Sequence, residues 1–138
     1  MPSAAIADTG LLYALFDADD KHHARAAALL KSGRYELLTS MAVVTETMHM
    51  LKRCPVETRV EFLHWVRQGG VQIIDLLLDD LVHIAGVLLK FAHLPADFAD
   101  ATIVAVADRL KVNQIATFDR DFDVYRYRNR ARFRNVLR

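Results

Sequence analysis

The 138-residue chain has few of the residues that cross-link or interrupt a small fold: one cysteine, three prolines and five glycines. The single Cys54 cannot form a disulfide within the chain, which excludes a disulfide scaffold and is typical of a reducing compartment. No apolar run approaches the ~20 residues that a membrane-spanning helix needs. The segment leading to Asp8 has no basic region and therefore lacks the pattern of a secretory signal. We expect a cytoplasmic protein that does not enter a membrane.

The net charge is only +1, but positive charge is concentrated near one end of the sequence. Arginine binds phosphate through paired hydrogen bonds and stacks on bases, so this segment suits RNA. It equally suits an acidic protein partner or an ordinary solvated surface, and the sequence leaves these alternatives open. The arginines of this segment are Arg120, Arg126, Arg128, Arg130, Arg132, Arg134 and Arg138.

Apolar residues make up 53% of the chain and charged residues 25%, a composition typical of a folded protein. Because the chain has the length of one ordinary domain and contains no linker or repeat, we expect one domain over residues 1–138. Strand patterns occupy residues 4–7, 36–39, 71–76 and 114–118, and a fifth strand is expected at 135–137. Helix patterns occupy residues 11–16, 21–32, 40–53, 56–68, 79–91 and 98–111.

Strands that alternate with helices pair in parallel, because each helix carries the chain back to the starting edge of the sheet. Such a sheet is covered by helices on both faces. The predicted fold is therefore a three-layer α/β/α sandwich with a central, mainly parallel sheet of four or five strands.

Two aspartates, Asp8 and Asp119, directly follow predicted strands. Ligands of open parallel sheets bind beyond the carboxyl ends of the strands, so both side chains are expected at a functional site. Glu46 and Asp100 lie on predicted helices, each one helical turn from apolar residues on the same face. We expect these two carboxylates to emerge from largely apolar surroundings.

A carboxylate that points towards a core needs a compensating cation, because desolvation disfavours its charged form. No lysine or arginine shares the helix faces of Glu46 and Asp100. Converging carboxylate oxygens instead match Mg²⁺ or Mn²⁺, which favour oxygen ligands. Each acid alone has an ordinary explanation, as a solvated charge or a helix cap, whereas their combination indicates a metal site.

Four short segments that contain these acids follow one another along the chain: residues 6–9 (IADT), Thr45-Glu46, residues 96–101 (ADFADA) and residues 116–122 (ATFDRDF). In this order and spacing the chain resembles the PIN-domain nucleases, particularly the VapC-type toxins of bacterial and archaeal toxin–antitoxin pairs. Any one segment is common in α/β proteins, but the four together span nearly the whole chain. The resemblance implies a PIN-like fold.

The resemblance also implies one acidic site whose members are both catalytic residues and ligands of Mg²⁺ or Mn²⁺. Those members are Asp8, Glu46, Asp100 and Asp119. Asp97, one helical turn before Asp100, and Asp121, two residues after Asp119, are additional candidates. Thr9 and Thr117 would orient the carboxylates through hydrogen bonds.

The activity expected from this resemblance is that of a metal-dependent endoribonuclease, in which metal-activated water hydrolyses an RNA phosphodiester bond. The expected partners are RNA, a small antitoxin protein and a second copy of the chain, with the homodimer interface on helices 11–16 and 43–51. The alternative is a catalytically inactive PIN-like scaffold that binds RNA or a protein. A site of the response-receiver type, in which an aspartate accepts a phosphoryl group, is disfavoured. Such a site needs a lysine after the last core strand, where this chain has Asp119.

Aromatic residues near the acidic segments are candidates for stacking on RNA bases. They are Phe98, Phe122, Tyr125 and Tyr127. Of these, Phe98 and Phe122 are better explained as core residues.

Overall fold

A computed structural model describes residues 2–94 and 96–138 of the chain. The strands are β1 (Ser3–Ala7), β2 (Tyr35–Thr39), β3 (Gln72–Ile73), β4 (Gln114–Ala116), β5 (Arg126–Tyr127), β6 (Ala131–Arg132) and β7 (Arg134–Asn135). The helices are α1 (Thr9–Phe16), α2 (His23–Ser32), α3 (Met41–Met50), α4 (Val56–Arg67), α5 (Asp80–Lys90) and α6 (Phe98–Leu110). Two single 3₁₀ turns lie at Leu51–Arg53 and Arg120–Asp123.

The central sheet has five strands in the order β3-β2-β1-β4-β7, and every neighbouring pair is parallel. This arrangement confirms the predicted α/β fold with a mainly parallel sheet. The chain leaves β1 towards β2 and β3 on one side, and later returns to β4 on the other side. The strand order therefore reverses between β1 and β4, which is where open sheets of this kind bind ligands.

Several element boundaries differ from the sequence prediction. The strand expected at 71–76 pairs only at Gln72–Ile73, since the chain then turns towards α5, where Asp80 accepts a hydrogen bond from the Leu77 amide. The helix expected at 40–53 ends at Met50 and continues as a 3₁₀ turn ahead of Pro55, which cannot extend a helix. The fifth strand is Arg134–Asn135 rather than 135–137, and the hairpin of β5 and β6 was not predicted.

The core is built around residues 5–7 of β1 and 101–107 of α6, which are all buried. Helix α6 is rich in alanine, which lets neighbouring elements approach its backbone closely. Between Ala99 and Ala107 its side chains are apolar except for those of Asp100 and Thr102. A helix that is apolar nearly all round packs inside the protein, so the Asp100 side chain leaves the helix in poorly solvated surroundings.

The apolar helices expected to form a homodimer interface lie in the core of the single chain. Leu11, Leu12, Val43 and Leu51 are each 0% exposed. These four side chains are therefore not available to a partner, because an apolar helix face in the sequence does not distinguish a core from an interface. The homodimer interface expected on helices 11–16 and 43–51 stays a prediction, which only the accessible faces of these helices, such as that of Met50, could carry. Within the part of the chain that the structure describes, no helix has the length and apolar character to cross a membrane.

Candidate active site

The register of the sheet places Asp8 beside Thr117. Ala7 pairs with Ala116 in the last position of the β1–β4 ladder, so the next residues of the two strands leave the sheet side by side. The Thr117 hydroxyl donates a hydrogen bond to the Asp8 carboxylate and accepts one of 2.9 Å from the Asp119 amide. Thr117 thus connects the two strand-end aspartates, as expected for a hydroxyl that orients a carboxylate.

The Asp8 carboxylate is held from two sides and is 3% exposed. Besides the bond from Thr117, it caps α1 by accepting a 2.9 Å hydrogen bond from the Leu11 amide. Burial is the largest effect on its pKa, which rises from 3.8 to about 6 despite these hydrogen bonds, and the charge of Asp119 adds to the rise. Asp8 is therefore a fixed acid whose charge is costly in the metal-free protein.

Two further helices begin at the same edge of the sheet with polar caps. Ser40, which follows β2, caps α3 and lies 2.8 Å, oxygen to oxygen, from the Thr102 hydroxyl of α6. Asp97 caps α6 by accepting a 2.9 Å hydrogen bond from the Asp100 amide. The first turns of α3 and α6 are thereby fixed to each other, and Glu46 and Asp100 are brought towards the ends of β1 and β4.

Asp100 lies at the centre of a group of acids that we call the acid cluster. Burial and then the charges of Asp97, Asp119 and Asp8, in that order, raise its pKa from 3.8 to about 8. These effects require the four carboxylates to lie near one another, although they come from three separate parts of the sequence. The acid cluster consists of Asp8, Glu46, Asp97, Asp100, Asp119 and Asp121.

Glu46 and Asp121 form the outer members of the acid cluster. Burial and the neighbouring Asp97 carboxyl raise the pKa of Glu46. Burial and the charge of Asp119 raise the pKa of Asp121. Asp97 and Asp121 therefore share the electrostatic environment of the four main candidates. Their roles, like those of the other four, stay predictions.

The acid cluster has no positive partner among the described residues. The ion pairs in this part of the chain are His83–Asp108, Arg109–Asp80 and Arg138–Asp123, and none includes a member of the cluster. Carboxylates gathered without a cation repel one another, and this repulsion adds to burial, the largest effect, in raising the pKa of Asp100. A bound cation would remove this repulsion.

Mg²⁺ or Mn²⁺ fits the cluster in charge and in donor type, because all the donors are carboxylate oxygens. Between residues 2 and 94 and between 96 and 138, no three His, Cys, Asp or Glu side chains already stand as the ligands of one ion. Metal binding therefore requires the side chains of the cluster to adjust. The hydrogen bonds of Asp8 leave lone pairs on both of its oxygens, since each carboxylate oxygen can accept more than one bond.

The Tyr125 hydroxyl also lacks a partner in the described part of the chain. Tyr125 is 0% exposed, and its oxygen makes no hydrogen bond to any residue that the structure describes. Its ring is held between Phe91 and Phe122, with centroid distances of 5.1 and 4.9 Å. Burial and the charges of the cluster, with Asp100 the largest of these, raise its pKa above the ordinary value. An unpartnered buried hydroxyl close to acids suits a hydrated ion, whose water can bond to it.

The remaining candidates divide between site and core. Thr9 begins α1 beside Asp8, but its hydroxyl makes no hydrogen bond within the described residues, so its orienting role stays a prediction. Phe98, expected in the core, is 47% exposed next to Asp97 and is free to stack on a base. Phe122 is buried as expected, and Tyr125, expected as a stacking candidate, is inaccessible to a base.

Comparison with known proteins identifies the family to which this fold and acid cluster belong. A family model of the PIN domain matches residues 5–126, which include every member of the acid cluster. The chain belongs to the PIN domain family. The resemblance found in the four sequence segments is thereby confirmed.

Two relatives of this PIN domain come from Mycobacterium tuberculosis. Ribonuclease VapC26 is 28% identical over 116 residues, which cover 83% of this chain and 86% of that protein. The crystal structure of VapC20, described as a sarcin-ricin loop cleaving toxin, superposes with a TM-score of 0.79 at 27% identity. That likeness covers 88% of this chain and 94% of VapC20, so the two share the fold over nearly their full lengths.

Proposed function

We propose that this PIN domain is a metal-dependent endoribonuclease and the toxin of a toxin–antitoxin pair. The observation that carries the proposal is a group of acids gathered at the β1–β4 switch point with no cation in the described residues to neutralise it. A ribonuclease and an RNA-cleaving toxin among the relatives support the choice of reaction and substrate.

Hydrolysis of a phosphodiester bond adds water to phosphorus and breaks one phosphorus–oxygen bond, and the departing oxygen takes a proton. A bound Mg²⁺ or Mn²⁺ supplies acidification of water and neutralisation of charge on the phosphate. In this proposal Asp8, Glu46, Asp100 and Asp119 hold the ion, while Asp97 and Asp121 are near enough to assist. Thr117 fixes the Asp8 carboxylate through its hydrogen bond and thereby limits the movement of one ligand.

The proposed partners follow from the same relatives. We infer a small antitoxin protein, because VapC20 is described as a toxin. We also infer a second copy of the chain, which the resemblance to VapC-type toxins implies. An exposed apolar stripe is available to a protein partner on and just before α5, where Leu78, Val82 and Leu89 are 85%, 78% and 80% exposed. Light scattering of the purified chain tests the homodimer, and a monomer at all concentrations would contradict it.

The experiment that tests the activity uses metal-free protein and a labelled RNA of mixed sequence. We expect no cleavage in EDTA and cleavage after addition of excess Mg²⁺ or Mn²⁺, with a rate increase of at least about 100-fold. The reason is that the acid cluster alone repels the phosphate. Cleavage that persists in EDTA would contradict metal dependence, and metal binding without cleavage of any RNA would favour the inactive scaffold.

A further inference from the structure

A cavity of about 370 Å³ lies beside the acid cluster and has the opposite charge. Its wall includes Thr117, the residue whose hydroxyl bonds to Asp8, so the cavity adjoins the residue that orients one member of the cluster. Among the residues that the structure describes, no aspartate or glutamate lines it. The cationic residues that line it are Lys21, Arg25, Arg120 and Arg138, together with His22.

Three of these cations have no acidic partner within the described part of the chain. Arg138 pairs with Asp123 at 2.6 Å, whereas Lys21, Arg25 and Arg120 form no ion pair there. Unpaired cations that converge on a concave surface attract an anion and raise its local concentration. The cavity is thus positively charged, whereas the neighbouring acid cluster is negatively charged.

The inner wall of the cavity is held in place by aromatic contacts. The His22 ring stacks on Phe118 with centroids 4.1 Å apart and planes 5° from parallel. The Arg25 guanidinium lies 5.3 Å from the centre of the Phe118 ring and donates a 2.5 Å hydrogen bond to the Leu137 carbonyl. This bond uses one of the five N–H donors of arginine, so further donors of a positioned guanidinium remain for a ligand.

We propose that this cavity binds a backbone phosphate of the RNA strand whose neighbouring phosphodiester lies at the acid cluster. The inference rests on the proposed ribonuclease function and assigns a binding site to that substrate. A polyanion reaching a group of carboxylates is repelled unless cations hold it nearby. Lys21, Arg25 and Arg120 supply that attraction next to the cluster, since Thr117 lines the cavity and bonds to Asp8, and Arg120 stands between Asp119 and Asp121 in the sequence.

The test measures binding of a fluorescein-labelled, single-stranded RNA of mixed sequence in EDTA, at several salt concentrations. Arg120→Gln and Lys21→Gln each remove one positive charge from the cavity. Arg67→Gln and Lys31→Gln are matched controls, because both residues are exposed and neither lines the cavity. We expect each cavity variant to weaken binding roughly threefold to tenfold and to reduce the salt slope by about one, with little change in the controls.

Cleavage kinetics in Mg²⁺ give a second readout. A phosphate contact away from the reacting bond is present in both ground and transition states, so the cavity variants should raise KM and leave kcat within about twofold. Arg120→Lys keeps the charge and should restore most of the binding that Arg120→Gln loses.

The outcomes separate this inference from the proposed function. If the wild type cuts no RNA but the cavity variants weaken RNA binding, the phosphate site stands and the nuclease proposal fails. If the wild type cuts RNA and the cavity variants match the controls in affinity, salt slope and KM, the phosphate site is overturned. Polyglutamate, a model of an acidic protein, is tested in the same binding assay. If the cavity variants bind polyglutamate more weakly than the wild type but bind RNA equally well, the phosphate site is also overturned, in favour of an acidic protein partner.

Discussion

Asp8→Asn is expected to reduce RNA cleavage by at least about 100-fold in saturating Mg²⁺ or Mn²⁺. The substitution keeps the shape of the side chain and an oxygen that can accept the hydrogen bond from Leu11, but removes the charge that would hold the ion. Because Thr117 and the Leu11 amide hold the Asp8 side chain in place, the substitution removes a charge from a fixed position of the proposed site. The rate of cleavage of a labelled RNA by equal amounts of each protein measures the effect.

Asp79→Asn is the matched control for Asp8→Asn. Asp79 is exposed, lies outside the acid cluster and makes no hydrogen bond as the cap of α5. It should cleave at nearly the wild-type rate. An active Asp8→Asn protein would contradict the assignment, whereas inactivity through misfolding is recognised by thermal unfolding, since the variant should be at least as stable as the wild type in EDTA.

The metal-free protein is expected to become less stable as the pH rises from about 4 to 8. The pKa of Asp8 is about 6 and that of Asp100 about 8 in the folded protein, against 3.8 when unfolded. Between these values the folded state holds more protons than the unfolded state, so the free energy of unfolding falls with rising pH. For the almost fully buried Asp8, the shift corresponds to about 2 to 3 kcal/mol.

Denaturant unfolding in EDTA at pH 5 and pH 8 measures this difference. Asp100→Asn removes one of the repelling charges and should therefore raise the free energy of unfolding at pH 8 by about 1 kcal/mol or more and flatten the pH dependence. Asp79→Asn should leave both values unchanged. At pH 8, excess Mg²⁺ should raise the free energy of unfolding of the wild type more than that of the Asp100→Asn protein. Equal stability of the metal-free wild type at both pH values would contradict the charge repulsion inferred for the cluster.

The sequence predicts the positions that depend on local patterns. Asp8 and Asp119 are recognisable because apolar strand patterns end just before them, and the parallel sheet then brings strand ends together. Asp100 is recognisable because it stands among apolar residues on its helix. Asp97 is recognisable as an additional candidate one turn before Asp100, and the structure shows it capping α6 while lying near Asp100.

Features that depend on packing between distant segments were missed. Nothing near Tyr125 in the sequence indicates that Phe91 and Phe122 hold its hydroxyl near the acids. The basic segment was recognised by its arginines, but the cavity also requires Lys21 and Arg25, which only the fold brings to Phe118 and Arg120. The burial of Leu11 and Val43, which the sequence offered to a dimer interface, has the same origin, since burial against the rest of the chain is a tertiary property.

The most direct test of the central claim is binding of Mn²⁺ to the metal-free protein, followed by the electron paramagnetic resonance signal of the free ion. The wild type and Asp79→Asn should bind Mn²⁺ saturably, and Asp8→Asn and Asp100→Asn should bind it at least about tenfold more weakly. That result would establish the acid cluster as a metal site independently of any RNA substrate. Equal affinity in all four proteins, or no binding by a wild type that cleaves RNA, would contradict it.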